Sequence, residues 1–181
     1  FRAQSESFTV FRDEGCYYVD KTGFISYMIE RGDKICVVTR PRRFGKTLML
    51  RMLQTFFEYA LDKDGKPVDN RRYFEGLKVM DAGEDVLKEM GRCPVISLSL
   101  KDMRNDTLDE MVIKLRSALA SACSSHEYLL EHPDLQDFEH EQCRDILSER
   151  VTQSKLEEAL GNLCKWIYKA TSRKTVILLD E

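Results

Sequence analysis

The chain has 181 residues, with 28 Lys and Arg against 31 Asp and Glu, a formal net charge of −3 and 43% hydrophobic residues. These values fit a globular domain and exclude a protein whose whole surface binds nucleic acid, although a local basic patch remains compatible with them. No apolar run approaches the ~20 residues that span a bilayer, and no signal-peptide pattern opens the chain, so we expect a cytoplasmic protein without a membrane segment.

Cysteine and histidine spacing gives no indication of a metal site. The six cysteines include no Cys-x-x-Cys pair, and His126, His132 and His140 lie at spacings that do not suit zinc. The favoured interpretation of most cysteines is a small buried apolar side chain.

The first half of the chain predicts two helices around a basic loop. A short strand is expected at residues 17–19, followed by a helix over 23–31 that ends at Gly32. Residues 34–39 are rich in β-branched side chains and predict a buried strand. Beyond the loop, apolar residues at three-and-four spacing predict a helix over 46–61.

The second half predicts two more buried strands separated by helices. The strands are expected at residues 94–100 and 175–179, and the helices at 84–90, 107–124, 138–149 and from 155 onward. A capping box formed by Ser154 and Glu157 is expected to open the last helix. Apolar strands that alternate with helices predict an α/β fold with a mostly parallel sheet flanked by helices.

The loop between the first buried strand and its helix carries a phosphate-binding motif. Residues 40–47 read RPRRFGKT, so Gly45, Lys46 and Thr47 fill the last three fixed positions of Gly-x-x-x-x-Gly-Lys-[Ser/Thr]. Backbone amides there can hold phosphate oxygens, Lys46 can reach the β- and γ-phosphates as a catalytic cation, and the Thr47 hydroxyl can ligate Mg²⁺. Arg40 stands where the pattern has its first glycine. The alternative interpretation is therefore a chance Gly-Lys-Thr that opens a core helix.

The last strand ends in two acidic residues, which is the Walker B pattern. Asp180 would emerge at the carboxyl end of the strand and could hold Mg²⁺, while Glu181 would act as the general base for an attacking water. Alone, the two acids could simply end a strand. Two motifs in this order, each on the expected element, favour a nucleotide site.

Several segments together resemble the predicted AAA-ATPase-like family of bacterial P-loop proteins. They are DEG at 13–15, YYVDKT at 17–22, TRPRRFGKT at 39–47, and shorter matches at 52–57, 74–77 and 94–96. The family loop carries arginine at the position of Arg40. The resemblance implies ATP and Mg²⁺ as cofactors, and a nuclease-like C-terminal domain in the parent chain.

The resemblance also implies the additional-strand catalytic-glutamate type of P-loop NTPase fold. In that type a strand from beyond Glu181 lies between the loop strand and the Walker B strand. We therefore expect residues 1–181 to be the N-terminal part of the nucleotide-binding domain, with a pre-loop segment at 1–33 and the loop-to-Walker-B part at 34–181. The sheet is expected to have a gap beside residues 34–39, or to fill it with another segment or chain.

Other residues near the loop allow two interpretations each. Arg42 and Arg43 could add positive charge to the phosphates or contact a partner in a homo-oligomer, or they could be solvated loop arginines. Phe44 is included among the candidate nucleotide-binding residues because it lies inside the loop. Tyr17 or Tyr18 could stack on the base, although a core aromatic is the favoured interpretation.

The sequence is compatible with two functions. The first is a Mg²⁺-dependent ATPase coupled to a partner domain or to nucleic acid, and the second is a nucleotide-dependent switch with little turnover. A P-loop kinase is less favoured, because no acceptor pocket or lid is visible in the sequence.

Overall fold

The computed structural model describes residues 7–41, 43–60, 66–101, 103 and 107–180. They belong to two compact units, unit 1 (Phe1–Cys93) and unit 2 (Pro94–Glu181). In the described residues helices outnumber strands, and a small parallel sheet lies in unit 2, a mixed architecture compatible with the α/β class.

Unit 1 is built from helices and turns. Its helices are α1 (Phe8–Asp13), α2 (Gly23–Arg31), α3 (Lys46–Phe57) and α4 (Glu84–Leu87), with 3-10 turns at Arg71–Phe74 and Lys78–Asp81. Helix α2 has its predicted bounds, and Gly32 ends it with a left-handed φ of 62°. Helix α3 ends earlier than predicted, and α1 was not predicted from the sequence.

Aromatic side chains form the centre of unit 1. Phe74 lies 5.3 Å from Phe8 and 5.5 Å from Phe56 between ring centroids, and all three rings are fully buried. Ile25 of α2 and Met52 of α3 are equally inaccessible. This core fixes α3, and with it the residues at the beginning of that helix.

The predicted strand at residues 34–39 is wrong, since these residues form no strand in the structure. Ile35 is 84% exposed and Val37 80% exposed, so the apolar run is not buried either. A strand exists only when its backbone groups pair with a neighbour, and no strand is assigned anywhere in the described part of unit 1. For the same reason the short strand predicted at residues 17–19 is absent, and Tyr17 is 87% exposed.

Unit 2 contains the parallel sheet and three long helices. Its elements are β1 (Val95–Ser99), α5 (Leu108–Ser124), α6 (Asp137–Leu147), α7 (Gln153–Thr171) and β2 (Val176–Asp180). The strands pair in parallel from Val95 opposite Val176 to Ser99 opposite Asp180. The described residues therefore form a two-stranded sheet, and residues 34–39 are not part of it.

The helices cover β1 more completely than β2. Ile96 and Leu98 are buried in the core cluster that α5, α6 and α7 contribute to. Their partners in register, Ile177 and Leu179, lie on the same face but are 42% and 56% exposed. Strand β2 thus keeps an accessible apolar surface beside the covered strand. No helix in the described ranges is long and apolar enough to cross a membrane.

The capping box predicted at Ser154 is wrong. Helix α7 begins at Gln153, one residue before the predicted cap, and Thr152 precedes it in extended conformation. A capping box is found instead at the start of α6, where the Glu139 carboxylate accepts the Gln136 N–H at 3.0 Å. Lys169 of α7 donates to the other oxygen of Glu139 at 2.5 Å, which ties α6 to α7.

A buried histidine supports the first residue of β1. His126 is 4% exposed, with Nε2 3.2 Å from the Val95 carbonyl and Nδ1 3.3 Å from the Tyr128 hydroxyl. One neutral tautomer satisfies both contacts, because Nε2–H can donate to Val95 while Nδ1 accepts from Tyr128. Burial lowers the pKa of His126, although the Val95 carbonyl acts in the opposite direction.

Unit 2 should therefore lose stability in mild acid. Unfolded histidine takes up its proton near pH 6.5, whereas folded His126 does so at lower pH, so in that interval the unfolded chain binds more protons. The free energy of unfolding should fall as the pH drops below about 6.5, by at most about 1.4 kcal/mol per pH unit for this group. Urea unfolding followed by fluorescence of the single tryptophan, Trp166, between pH 7.5 and 5 measures this.

The variant His126→Gln keeps a donor for Val95 and removes the titration, so its unfolding free energy should vary less steeply with pH. The control Gln153→Ala changes an exposed side chain of unit 2 that carries no titratable group, and it should keep the wild-type slope. An unchanged slope in His126→Gln would contradict the assignment.

Candidate phosphate-binding site

The basic loop has the left-handed then right-handed alternation of an anion-binding nest where it enters α3. Gly45 is left-handed (φ 71°, ψ 33°) and Lys46 begins the right-handed helix, while Arg43 also has a left-handed φ of 67°. Such alternation turns successive backbone N–H groups toward one concavity that can receive an anion. Arg42 lies outside the described residues, so the N–H groups that can be placed begin at Arg43.

Helix α3 begins directly after this nest. Gly45 is its N-cap residue, and the first helical hydrogen bond runs from the Met49 N–H to the Gly45 carbonyl at 3.0 Å. The N–H groups of the first turn have no partner within a helix, and the helix dipole adds positive potential at this end. The first turn carries no acidic residue that would compete for those N–H groups.

The side chains predicted to contact a nucleotide lie around this helix start. Lys46 and Thr47 are half-buried in the first turn, whereas Arg40 and Arg43 are exposed. Phe44 is 60% exposed and does not belong to the core. Helix and nest thus present backbone donors, one lysine and one hydroxyl within a few consecutive residues.

A second lysine reaches the loop and was not identified from the sequence. The Lys21 ammonium donates to the Phe44 carbonyl at 2.9 Å. It also lies close to Gly45, since a Cβ placed on that glycine would meet Lys21 Nζ at 3.0 Å. A side chain at position 45 would therefore have both an unfavourable φ and a cation in its way.

We call residues 18–22 the pre-loop anchor. Within it, the hydrogen bonds of Asp20 and Thr22 hold the backbone of Lys21 in place on both sides. The Asp20 carboxylate accepts the Thr22 N–H and the Lys78 N–H, both at 2.8 Å, and the Thr22 hydroxyl at 2.6 Å. The buried Thr22 hydroxyl in turn accepts the Val79 N–H at 3.1 Å. Partial burial opposes ionisation of Asp20, but the bonds from Thr22 and Lys78 prevail and its pKa is lowered.

Tyr18 attaches the same segment to helix α3. Its hydroxyl donates to the sulfur of Met52 at 3.2 Å. Its ring packs edge-on against Phe8 at 5.4 Å, and burial raises its pKa to about 12. Tyr18 therefore makes core contacts, which is the interpretation that the sequence favoured, while Tyr17 extends into solvent.

The predicted Walker B residues belong to unit 2. Asp180 is the last residue of β2, opposite Ser99, and its carbonyl accepts the Leu100 N–H at 2.7 Å. Because the strands are parallel, their carboxyl ends share one edge of the sheet, and Asp180 lies at that edge. Glu181, the predicted base, lies outside the described residues. In the described ranges no three His, Cys, Asp or Glu side chains gather into a group that could hold a metal ion.

One comparison with known proteins identifies a family. The model of a family described as predicted AAA-ATPase matches residues 4–181. The chain is also 33% identical over 118 residues to an uncharacterized protein in the vnfD 5' region of Azotobacter chroococcum mcd 1, which covers 61% of this chain and 20% of that protein. The chain thus spans about a fifth of the length of this relative. No solved structure matches.

The family match extends over the pre-loop anchor, the nest, the start of α3 and the strand that ends in Asp180. The chain belongs to the predicted AAA-ATPase family.

Proposed function

We propose that this chain binds ATP with Mg²⁺ and hydrolyses it as part of a P-loop ATPase. The observation that carries the proposal is the nest at Arg43 and Gly45 on the N-terminus of the 12-residue helix α3. Convergent backbone N–H groups, a helix dipole and an adjacent lysine favour a polyphosphate over a neutral ligand.

Each proposed role follows from the chemistry of the side chain. Lys46 neutralises charge that develops on the phosphates, and Thr47 and Asp180 are ligands of the nucleotide-bound Mg²⁺. Glu181 activates the attacking water as a general base. Arg42, Arg43, Phe44 and Gly45 line the phosphate cradle, Gly45 through its backbone.

The proposed fold is that of a P-loop NTPase of the additional-strand type. A partner domain and self-association remain proposals that rest on the family resemblance.

A second function, a nucleotide-dependent switch, is favoured by one observation. The loop carries Arg40 in place of the usual glycine, with Pro41 after it, and Arg43 holds a backbone conformation that costs a non-glycine residue about 1 kcal/mol or more. A strained loop that is restructured by its ligand is suited to switching, with or without turnover.

Replacing Lys46 tests nucleotide binding. Lys46→Ala should weaken the affinity for Mg²⁺-ATP at least about tenfold, because a hydrogen bond to a charged group contributes about 1.5–3 kcal/mol. Titration calorimetry on the folded protein measures the change. The control Lys88→Ala removes an exposed lysine that pairs with Asp85 in α4, and it should bind like the wild type. Equal affinities for the wild type and Lys46→Ala would reject the cradle.

Replacing Glu181 separates the ATPase from the switch. In the full-length protein, Glu181→Gln should lower single-turnover hydrolysis by about 10²–10⁴-fold and leave ATP affinity within a factor of about two, since a general base acts only on the chemical step. Asp180→Asn should lower both hydrolysis and the dependence on Mg²⁺. If the wild type binds ATP and shows no hydrolysis above that of Glu181→Gln, the switch is the better description.

Replacing Arg43 tests whether the loop holds the left-handed backbone conformation in solution. Arg43→Gly removes the cost of the left-handed conformation and adds flexibility to the unfolded chain, so unit 1 should change in stability by less than about 1 kcal/mol. Arg43→Val places a β-branched residue at φ 67° and should be less stable than the glycine variant by about 1–2 kcal/mol. Thermal unfolding of the three proteins provides the comparison. Equal stability of the Gly and Val variants would show that the loop is not held in this conformation in solution.

A further inference from the structure

Lys21 is not part of the phosphate-binding loop but contacts its backbone. Its ammonium is hydrogen-bonded to the Phe44 carbonyl at 2.9 Å, and this carbonyl belongs to the same peptide group as the Gly45 N–H. In a trans peptide the C=O and the N–H point in opposite directions. A cation that holds the carbonyl on one side therefore directs the N–H to the other side.

We propose that Lys21 is a positioning residue for nucleotide binding, which orients the 44–45 peptide so that the Gly45 N–H donates into the phosphate cradle. The inference rests on the proposed function for its ligand, Mg²⁺-ATP. It assigns to Lys21 no contact with the nucleotide, in contrast to Lys46.

The surroundings of Lys21 are built for such a role. The residues on either side of it are immobilised, Asp20 by the N–H groups of Thr22 and Lys78, and Thr22 by the Val79 N–H. Tyr18, three residues before Lys21, donates its hydroxyl proton to the sulfur of Met52 in α3, the helix that the loop opens. The base of the Lys21 side chain is thus fixed relative to the loop it supports.

A nest needs such support. Its N–H groups turn their positive ends toward one region, and these like partial charges repel one another. A peptide flip at 44–45 would relieve the repulsion and remove one donor. The charge-assisted bond from Lys21 opposes that flip, because the flipped carbonyl would leave the ammonium without its acceptor.

The first test reads the loop without nucleotide. At 21.1 kDa the protein is accessible to ¹H–¹⁵N correlation spectroscopy, and the Gly45 amide can be assigned from the signal missing in Gly45→Ala. In Lys21→Met, which keeps the length of the stem, the Gly45 signal should shift or broaden. In Lys88→Met, another exposed lysine of unit 1 with a hydrogen-bonded partner, it should stay in place. An unmoved Gly45 signal in Lys21→Met overturns the proposal whether or not the protein binds ATP.

The second test measures affinity for Mg²⁺-ATP by titration calorimetry. Lys21→Met should bind about tenfold more weakly than the wild type, Lys88→Met should bind equally, and Lys21→Arg, which keeps a charged donor, should recover most of the loss. Asp20→Ala should also weaken binding, and much less so in a protein that already carries Lys21→Met, because Asp20 acts through Lys21.

The outcomes separate the two proposals. A wild type that binds no ATP contradicts the proposed function, and the Gly45 signal then decides on Lys21 alone. A wild type that binds ATP, together with a Lys21→Met variant of equal affinity, leaves the proposed function intact and overturns the role of Lys21. If Lys21→Met gives the ¹H–¹⁵N spectrum of an unfolded protein and Lys21→Arg does not recover affinity, Lys21 is needed for folding, and its proposed role in the loop is wrong.

Discussion

The orientation of a few backbone N–H groups between Arg43 and the first turn of α3 is the constraint on which the candidate site depends. These groups are dipoles with their positive ends turned toward one point, so they repel one another when no anion is present. The fold must therefore hold them in place by contacts made elsewhere. Two features of the described structure hold them. The loop backbone is left-handed at Arg43 and Gly45 and continues into α3. In addition, the Lys21 ammonium donates a hydrogen bond to the Phe44 carbonyl.

The contacts that hold the loop derive from the core of unit 1. Phe56 and Met52 fix α3 from its buried face, and the rings of Phe8 and Phe74 pack beside them. Tyr18 joins this aromatic cluster through Phe8 and carries the pre-loop anchor with it. The strain at Arg43, of about 1 kcal/mol or more, is small against the burial of even one such ring, which contributes about 1.5–3 kcal/mol. A well-packed core can therefore maintain an unfavourable loop conformation.

Local patterns predicted the elements whose stability is local. Helix α2, its glycine end and the strands β1 and β2 follow from spacing and apolar content alone, and the family was identified from the loop together with several shorter segments. The strand prediction at residues 34–39 was wrong because β-branched composition shows only that a segment is suited to a strand, whereas pairing depends on a partner distant in sequence. The role of Lys21 was not predicted for a related reason. Its acceptor is the backbone carbonyl of residue 44, and every residue has such a carbonyl, so the sequence does not indicate the contact.

The structure also gives a physical reason for the order of residues in the pre-loop anchor. The side chains of Asp20 and Thr22 both bind backbone N–H groups at positions 78 and 79, while Lys21 between them reaches the loop. Asp20 and Thr22 thus fix the segment to positions 78 and 79, and Lys21 between them contacts the loop. A lysine suits the central position, because its long stem can reach a carbonyl from a backbone that is already immobilised and its three donors tolerate small shifts of the acceptor. Asparagine would be too short, and an acidic residue would repel the carbonyl.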